Sequence, residues 1–131
     1  MGSLGVDIGN VRALHPLRVL VAARDRQFVN VAGFLLTRGG FHVQSTGRPR
    51  DVLSLVGTHD VDVVLLDGSE SLSEAARLAG VLEALHPHVT VVVVADDGSE
   101  PPADSMRVFS KWNSLSELVM NLERMHLGGA A

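Results

Sequence analysis

The stretch VDVVLLDGSE, residues 61–70, decides how this chain folds. Val63 to Leu66 are apolar at every position rather than at every second one. A short run of that kind belongs to a strand buried on both faces, as in a parallel sheet covered by helices. The run ends in a single carboxylate, Asp67, followed by Gly68 and a polar loop. A charge at the tip of a buried strand needs a partner or a task.

Working outward, residues 17–23 (LRVLVAA) form a second apolar run of strand length. Residues 26–38 place Phe28, Val31, Leu35 and Leu36 on one helical face, and Gly39 with Gly40 ends that helix. Residues 41–45 (FHVQS) alternate like an edge strand, and 50–57 fit a short helix after the Gly47 and Pro49 loop. Ser71 and Glu74 match a capping box ahead of Leu78, Val81, Leu82 and Leu85, and Pro87 stops that helix. Residues 89–95 (VTVVVVA) and 106–110 (MRVFS) read as strands. Ser114 and Glu117 open a last helix that closes at Gly128 and Gly129. The order is β-α-β-α-β-α-β-loop-β-α, and right-handed crossovers turn it into a doubly wound parallel sheet. Its functional crevice is expected beyond the carboxyl ends of the strands. Asp67, Arg24, Asp25, Asp96 and Lys111 all fall at such ends.

Composition narrows the function classes. The chain has 131 residues, a length suited to one domain. Residues 1–16 read as an extension, 17–127 as the domain and 128–131 as a tail or the start of a linker. There is no cysteine, which excludes disulfides and thiolate metal sites. A net charge of −4 argues against direct nucleic-acid binding. No apolar run approaches the ~20 residues of a membrane span, and the start lacks the features of a signal peptide. The expected compartment is the cytoplasm. Arginine dominates the basic residues, with Lys111 the only lysine, a bias that resembles high-GC bacterial composition.

VVLLDG at Asp67, FSKW at Lys111 and the strand order resemble the receiver (CheY-like) domain of bacterial response regulators, over residues 17–127. The resemblance implies a five-stranded parallel sheet of order 2-1-3-4-5. It also implies an aspartate that accepts phosphate, an acidic pair that holds Mg²⁺, a Ser or Thr closing the fourth strand, a Lys–Pro closing the fifth, and a switch aromatic within it. Asp67 and Lys111 match. Ala23 and Arg24 stand at the acidic pair, Ala95 at the Ser/Thr position, Val108 at the aromatic and Trp112 at the proline. The segment 96–105 (DDGSEPPADS) is short and holds tandem prolines, so the fourth helix is expected to be shortened or missing.

These departures point to a degenerate receiver. Ala23 offers Mg²⁺ no ligand, and phosphoryl transfer depends on that metal. Arg24 and Lys111 are expected to pair with Asp67 and neutralise it without a metal. Ala95 and Val108 lack the groups a phosphate-driven switch would move. Without proline, the bond before Trp112 is expected to be trans, which would re-aim Lys111. Asp25 is expected to cap the first helix and Asp96 with Asp97 to form a solvated turn, although these three could rebuild a metal site. Trp112 is either a ligand or partner contact or packing over a closed site. His86 and His88 fit an exposed loop better than a metal site.

The expected function is a phosphorylation-independent signalling, dimerisation or ligand-sensing module. It would take a protein partner or a second copy, with a small-molecule effector as a further option, and would regulate transcription through a fused or partner DNA-binding domain. It needs no cofactor. The alternative is a phosphorylatable receiver with a rearranged Mg²⁺ site, taking phosphate on Asp67. An enzyme or flavin binder on the same sheet ranks lower, because ARDRQ after the first strand lacks the small residues that cradle a phosphate.

Overall fold

The computed structural model describes residues 16–96 and 108–112, and positions 116, 117, 119–122 and 124 of the C-terminal segment. β1 (Arg18–Ala22) leads into α1 (Arg26–Arg38), then β2 (His42–Thr46). A 3₁₀ turn (Pro49–Asp51) runs into α2 (Val52–Thr58), followed by β3 (Val63–Asp67), α3 (Leu72–Leu85), β4 (Thr90–Ala95) and β5 (Val108–Ser110). The described positions from 116 to 124 are helical. All pairings are parallel, and the sheet order is β2-β1-β3-β4-β5.

The period of two along each strand sorts the core into two layers. Val19, Val21, Val63, Leu65 and Val94 face α1, where Phe28, Ala32 and Leu36 are buried, together with Val119 and Leu122. Leu20, Ala22, Val64, Leu66 and Val93 face α2 and α3, meeting Val52, Val56, Ala75, Ala79 and Leu82. β2 lies at the sheet edge, and its burial is accordingly partial.

Local signals set the element ends. The Asp25 carboxylate accepts the Phe28 N–H and starts α1. Gly40, with φ of 93°, turns the chain out of α1. The Ser71 hydroxyl accepts the Glu74 N–H at 3.2 Å and starts α3. That helix ends at Leu85, two residues before Pro87. The expected strand ends differ from the observed ones by a residue or two, because the terminal apolar residues Leu17, Phe41, Val61 and Val89 pack in the core just beyond the paired registers.

The loop at 97–107, the start of the last helix at Ser114 and the terminal extensions lie outside the described residues, as does Asp97. The segment expected to carry a shortened or missing fourth helix falls there too. No helix among the described residues is long and apolar enough to cross a membrane.

Candidate functional site

Parallel pairing brings the carboxyl ends of β1, β3, β4 and β5 to one edge of the sheet. Asp67 pairs with Val94 in the register of β3 on β4, and Ala95 pairs with Ser110 in that of β4 on β5. The Lys111 N–H donates to the Ala95 carbonyl at 2.8 Å, which continues the ladder one step past β5 and fixes the start of the lysine side chain.

From there Lys111 reaches back across the strand ends. Its Nζ lies 2.8 Å from Asp67 Oδ2 and 2.9 Å from Asp25 Oδ2. Lys111 and Asp67 side chains are almost wholly buried, at 4 % and 8 % exposure, whereas Asp25 retains 37 %. The remaining oxygens are also engaged. Asp67 Oδ1 accepts the Ser69 N–H at 3.0 Å, and Asp25 Oδ1 accepts the Phe28 N–H at 3.2 Å. Burial opposes the charge on Lys111, but hydrogen bonds to Asp67 and Asp25 outweigh it and hold its pKa above the ordinary lysine value. The same Lys111 contact, helped by the Phe28 N–H, holds Asp25 below the usual carboxylate range.

Aromatic faces close the site. Lys111 Nζ sits 5.1 Å from the Phe28 ring centroid and 5.8 Å from that of Trp112. Those two rings meet edge to face with centroids 5.7 Å apart. Phe28 is fully buried and Trp112 is 40 % exposed, so the tryptophan is partly open to solvent.

One expectation is corrected. Arg24 does not pair with Asp67; its guanidinium lies 3.3 Å from Glu70, and both side chains are largely exposed. The residue after β1 at position 23 turns inward and position 24 turns outward, so Arg24 projects away from the pocket while Ala23 is buried. The third charged member of the site is therefore not an arginine but a second carboxylate, Asp25, which shares Lys111 with Asp67 while also capping α1. The bond before Trp112 is trans, as expected without proline there, and the Lys111 ammonium meets Asp67.

The other positions fall as follows. Ala95 is buried at the end of β4 and presents a methyl group. Val108 is half-buried and packs against the α2–α3 layer. Asp96 is exposed. His86 and His88 stack edge to face at 6.1 Å beyond α3, at the opposite edge of the sheet. Among the described residues no three His, Asp or Glu side chains are grouped to hold a metal ion.

Three features escaped the sequence reading. The Ser69 N–H on Asp67 is an Asx-type turn, for which D-G-S was a legible signal. Ser69 Oγ is buried beside it with no hydrogen-bond partner. Gly68 is demanded by packing: a Cβ there would lie 2.8 Å from Leu72 Cδ1 and 3.3 Å from both Ala75 Cβ and Val93 Cγ1.

This five-stranded parallel sheet of order 2-1-3-4-5 with flanking helices is the CheY-like, flavodoxin-like fold. Solved structures bear this out. The chain is similar to a response regulator from Thermotoga maritima, with TM-score 0.72, 15% identity, and 86% of this chain and 99% of that one covered. It is also similar to an orphan response regulator of H. pylori (TM-score 0.64, 21% identity, covering 82% and 94%). A third is an atypical orphan response regulator described as having a phosphorylation-independent regulatory mechanism (TM-score 0.64, 20% identity, covering 85% and 96%). No family model matches the sequence, and no curated protein matches it.

A receiver on this fold would imply a Mg²⁺ site, and the residues at the expected acidic pair do not fit one. The acidic-pair positions carry a buried methyl and an outward arginine, Ala23 and Arg24. Each carboxylate oxygen of Asp25 and Asp67 accepts one hydrogen bond, and the Lys111 ammonium bridges the two carboxylates.

Proposed function

We propose that this chain is an atypical receiver that works as a signalling or interaction module without phosphorylation. The observation that carries this reading is the Lys111 ammonium bridging Asp67 and Asp25. In a phosphoacceptor site, a metal must neutralise the incoming phosphoryl oxygens. Here one fixed cation serves both carboxylates, and the metal positions hold Ala23 and Arg24. Ala95 has no hydroxyl to follow a phosphate, and Val108 has no ring to swing. The module would act in the cytoplasm, not as an enzyme, by docking a protein partner or second copy or by sensing a small molecule. Control of transcription through a fused or partner DNA-binding domain is the output that fits a receiver. The similarity to an atypical orphan regulator described as phosphorylation-independent supports this reading by analogy of fold.

A specific observation favours a second reading, a receiver phosphorylated on Asp67 with a rearranged metal site. Asp25 stands next to the expected acidic pair and still converges on the site, and the Ser69 hydroxyl there lacks a partner.

The deciding experiment is intact mass after incubation with a small-molecule phosphodonor and Mg²⁺, with Asp67→Ala alongside. The proposed function expects no phosphate-sized gain in the folded protein. A gain that Asp67→Ala abolishes overturns it in favour of the second reading.

A further inference from the structure

The sheet order places a topological switch between β1 and β3, where β2 lies on one side of β1 and β3 on the other. In open parallel sheets, ligands bind outside the carboxyl ends of the strands at such a point. A cavity of about 410 Å³ opens there, on the α2–α3 side of the sheet, with Ala22, Leu66 and Asp67 at its floor. Its volume falls in the range of small-molecule sites.

The walls are of two kinds. Leu53 from α2 and Leu78 and Val81 from α3 make an apolar slot. Leu53 and Leu78 are only partly buried, and Val81 is 37 % exposed, so the slot is open rather than filled by its own side chains. Arg50 and Arg77 stand on the rim. A neighbouring groove of about 390 Å³ shares Arg50 and Glu74 with the cavity and adds Arg24 and Arg48.

The charges on this surface do not cancel. Arg24 is paired with Glu70, and Asp67 with Lys111. Among the described residues Arg48, Arg50 and Arg77 make no ion pair, against a single unpaired lining carboxylate, Glu74. Guanidinium groups present a planar fork of donors suited to carboxylate, phosphate or sulfonate heads.

We infer that the cleft between α2 and α3 binds a small organic anion, its head on Arg50 and Arg77 and its apolar body against Leu53, Leu78 and Val81. The inference rests on the reading of the chain as a sensing module and names the chemistry it senses. Because Asp67 forms part of the floor, an occupant would touch the same strand end that Lys111 holds.

The test is a fluorescence titration of the full chain with anilinonaphthalene sulfonate, an aromatic body carrying one anionic head. Saturable binding of one dye per chain is expected. Loss of one charge-assisted contact weakens binding about tenfold, so Arg50→Gln and Arg77→Gln should each do so, whereas Arg38→Gln on α1 should not. Val81→Glu, at an exposed position the fold tolerates, should abolish binding by placing a carboxylate in the mouth. Absence of saturable binding overturns the inference. So does a dye affinity indifferent to Arg50 and Arg77, or equal binding of uncharged anilinonaphthalene. Full displacement by inorganic phosphate at equal concentration would overturn the apolar half of it. Phosphate on Asp67 in the mass experiment would overturn the proposed function and leave the titration standing; an arginine-independent titration would do the reverse.

Discussion

The Lys111 ammonium and the Asp67 carboxylate, both almost wholly buried, lie 2.8 Å apart across the ends of β5 and β3. β4 separates those strands, so the pair spans the sheet edge rather than a single ladder step. Asp25 completes the contact from the start of α1, so one cation ties the helix to two strands.

Removing that cation should cost more than any single contact. Lys111→Met leaves Asp67 buried without its countercharge, a loss of about 3 kcal/mol for a broken buried pair. Adding Asp67→Leu to Lys111→Met should recover much of it, since an apolar pair needs no partner. Urea denaturation of the single and double variants measures both values. Wild-type stability in Lys111→Met would show that the pair contributes nothing.

The pH dependence of this contact has two limbs. Asp25 sits below its ordinary value of 3.8 when folded, so its contribution is present above that pH and is lost as pH falls through the folded value. Lys111 sits above its ordinary 10.5, so its contribution is present below that pH and is lost as pH rises through the folded value. The stability difference between wild type and Lys111→Met should therefore be level in between and shrink at both ends. Melts across pH test it; a difference that grows in acid or alkali would contradict the assignment.

Gly68→Ala should destabilise by about 1–3 kcal/mol, as overpacking does. Leu72 can swing aside, but Ala75 Cβ and Val93 Cγ1 belong to a helix and a strand that must move. A thermal melt no lower than wild type would mean that the β3–α3 turn shifts freely.

Trp112 is the only tryptophan, so its emission reports on the site alone. Trp112→Phe should keep the edge contact with Phe28, whereas Trp112→Ala should lose roughly 0.5–1.5 kcal/mol. Lys111→Met should shift the emission, because the ammonium lies 5.8 Å from the indole centroid. An unchanged spectrum would separate Trp112 from the carboxylate cluster.

The sequence by itself determined the sheet and its layers. Apolar runs at 63–66 and 91–94 have one low-energy home, a strand covered on both faces, and helical spacing at Phe28 and Leu36 set which side α1 buries. It also placed Asp67 and Lys111 at strand ends, because strand registers follow from where apolar runs stop. Which charges meet there was decided only by the tertiary structure. Arg24 and Asp25 are chain neighbours, and their one-letter order says nothing of which turns inward. The turn after β1 sends Arg24 out to Glu70 and leaves the Asp25 carboxylate both capping α1 and bonded to Lys111. Residue spacing encodes the period of a helix or strand, but a contact across strand ends depends on loop paths and side-chain reach, which no local period records.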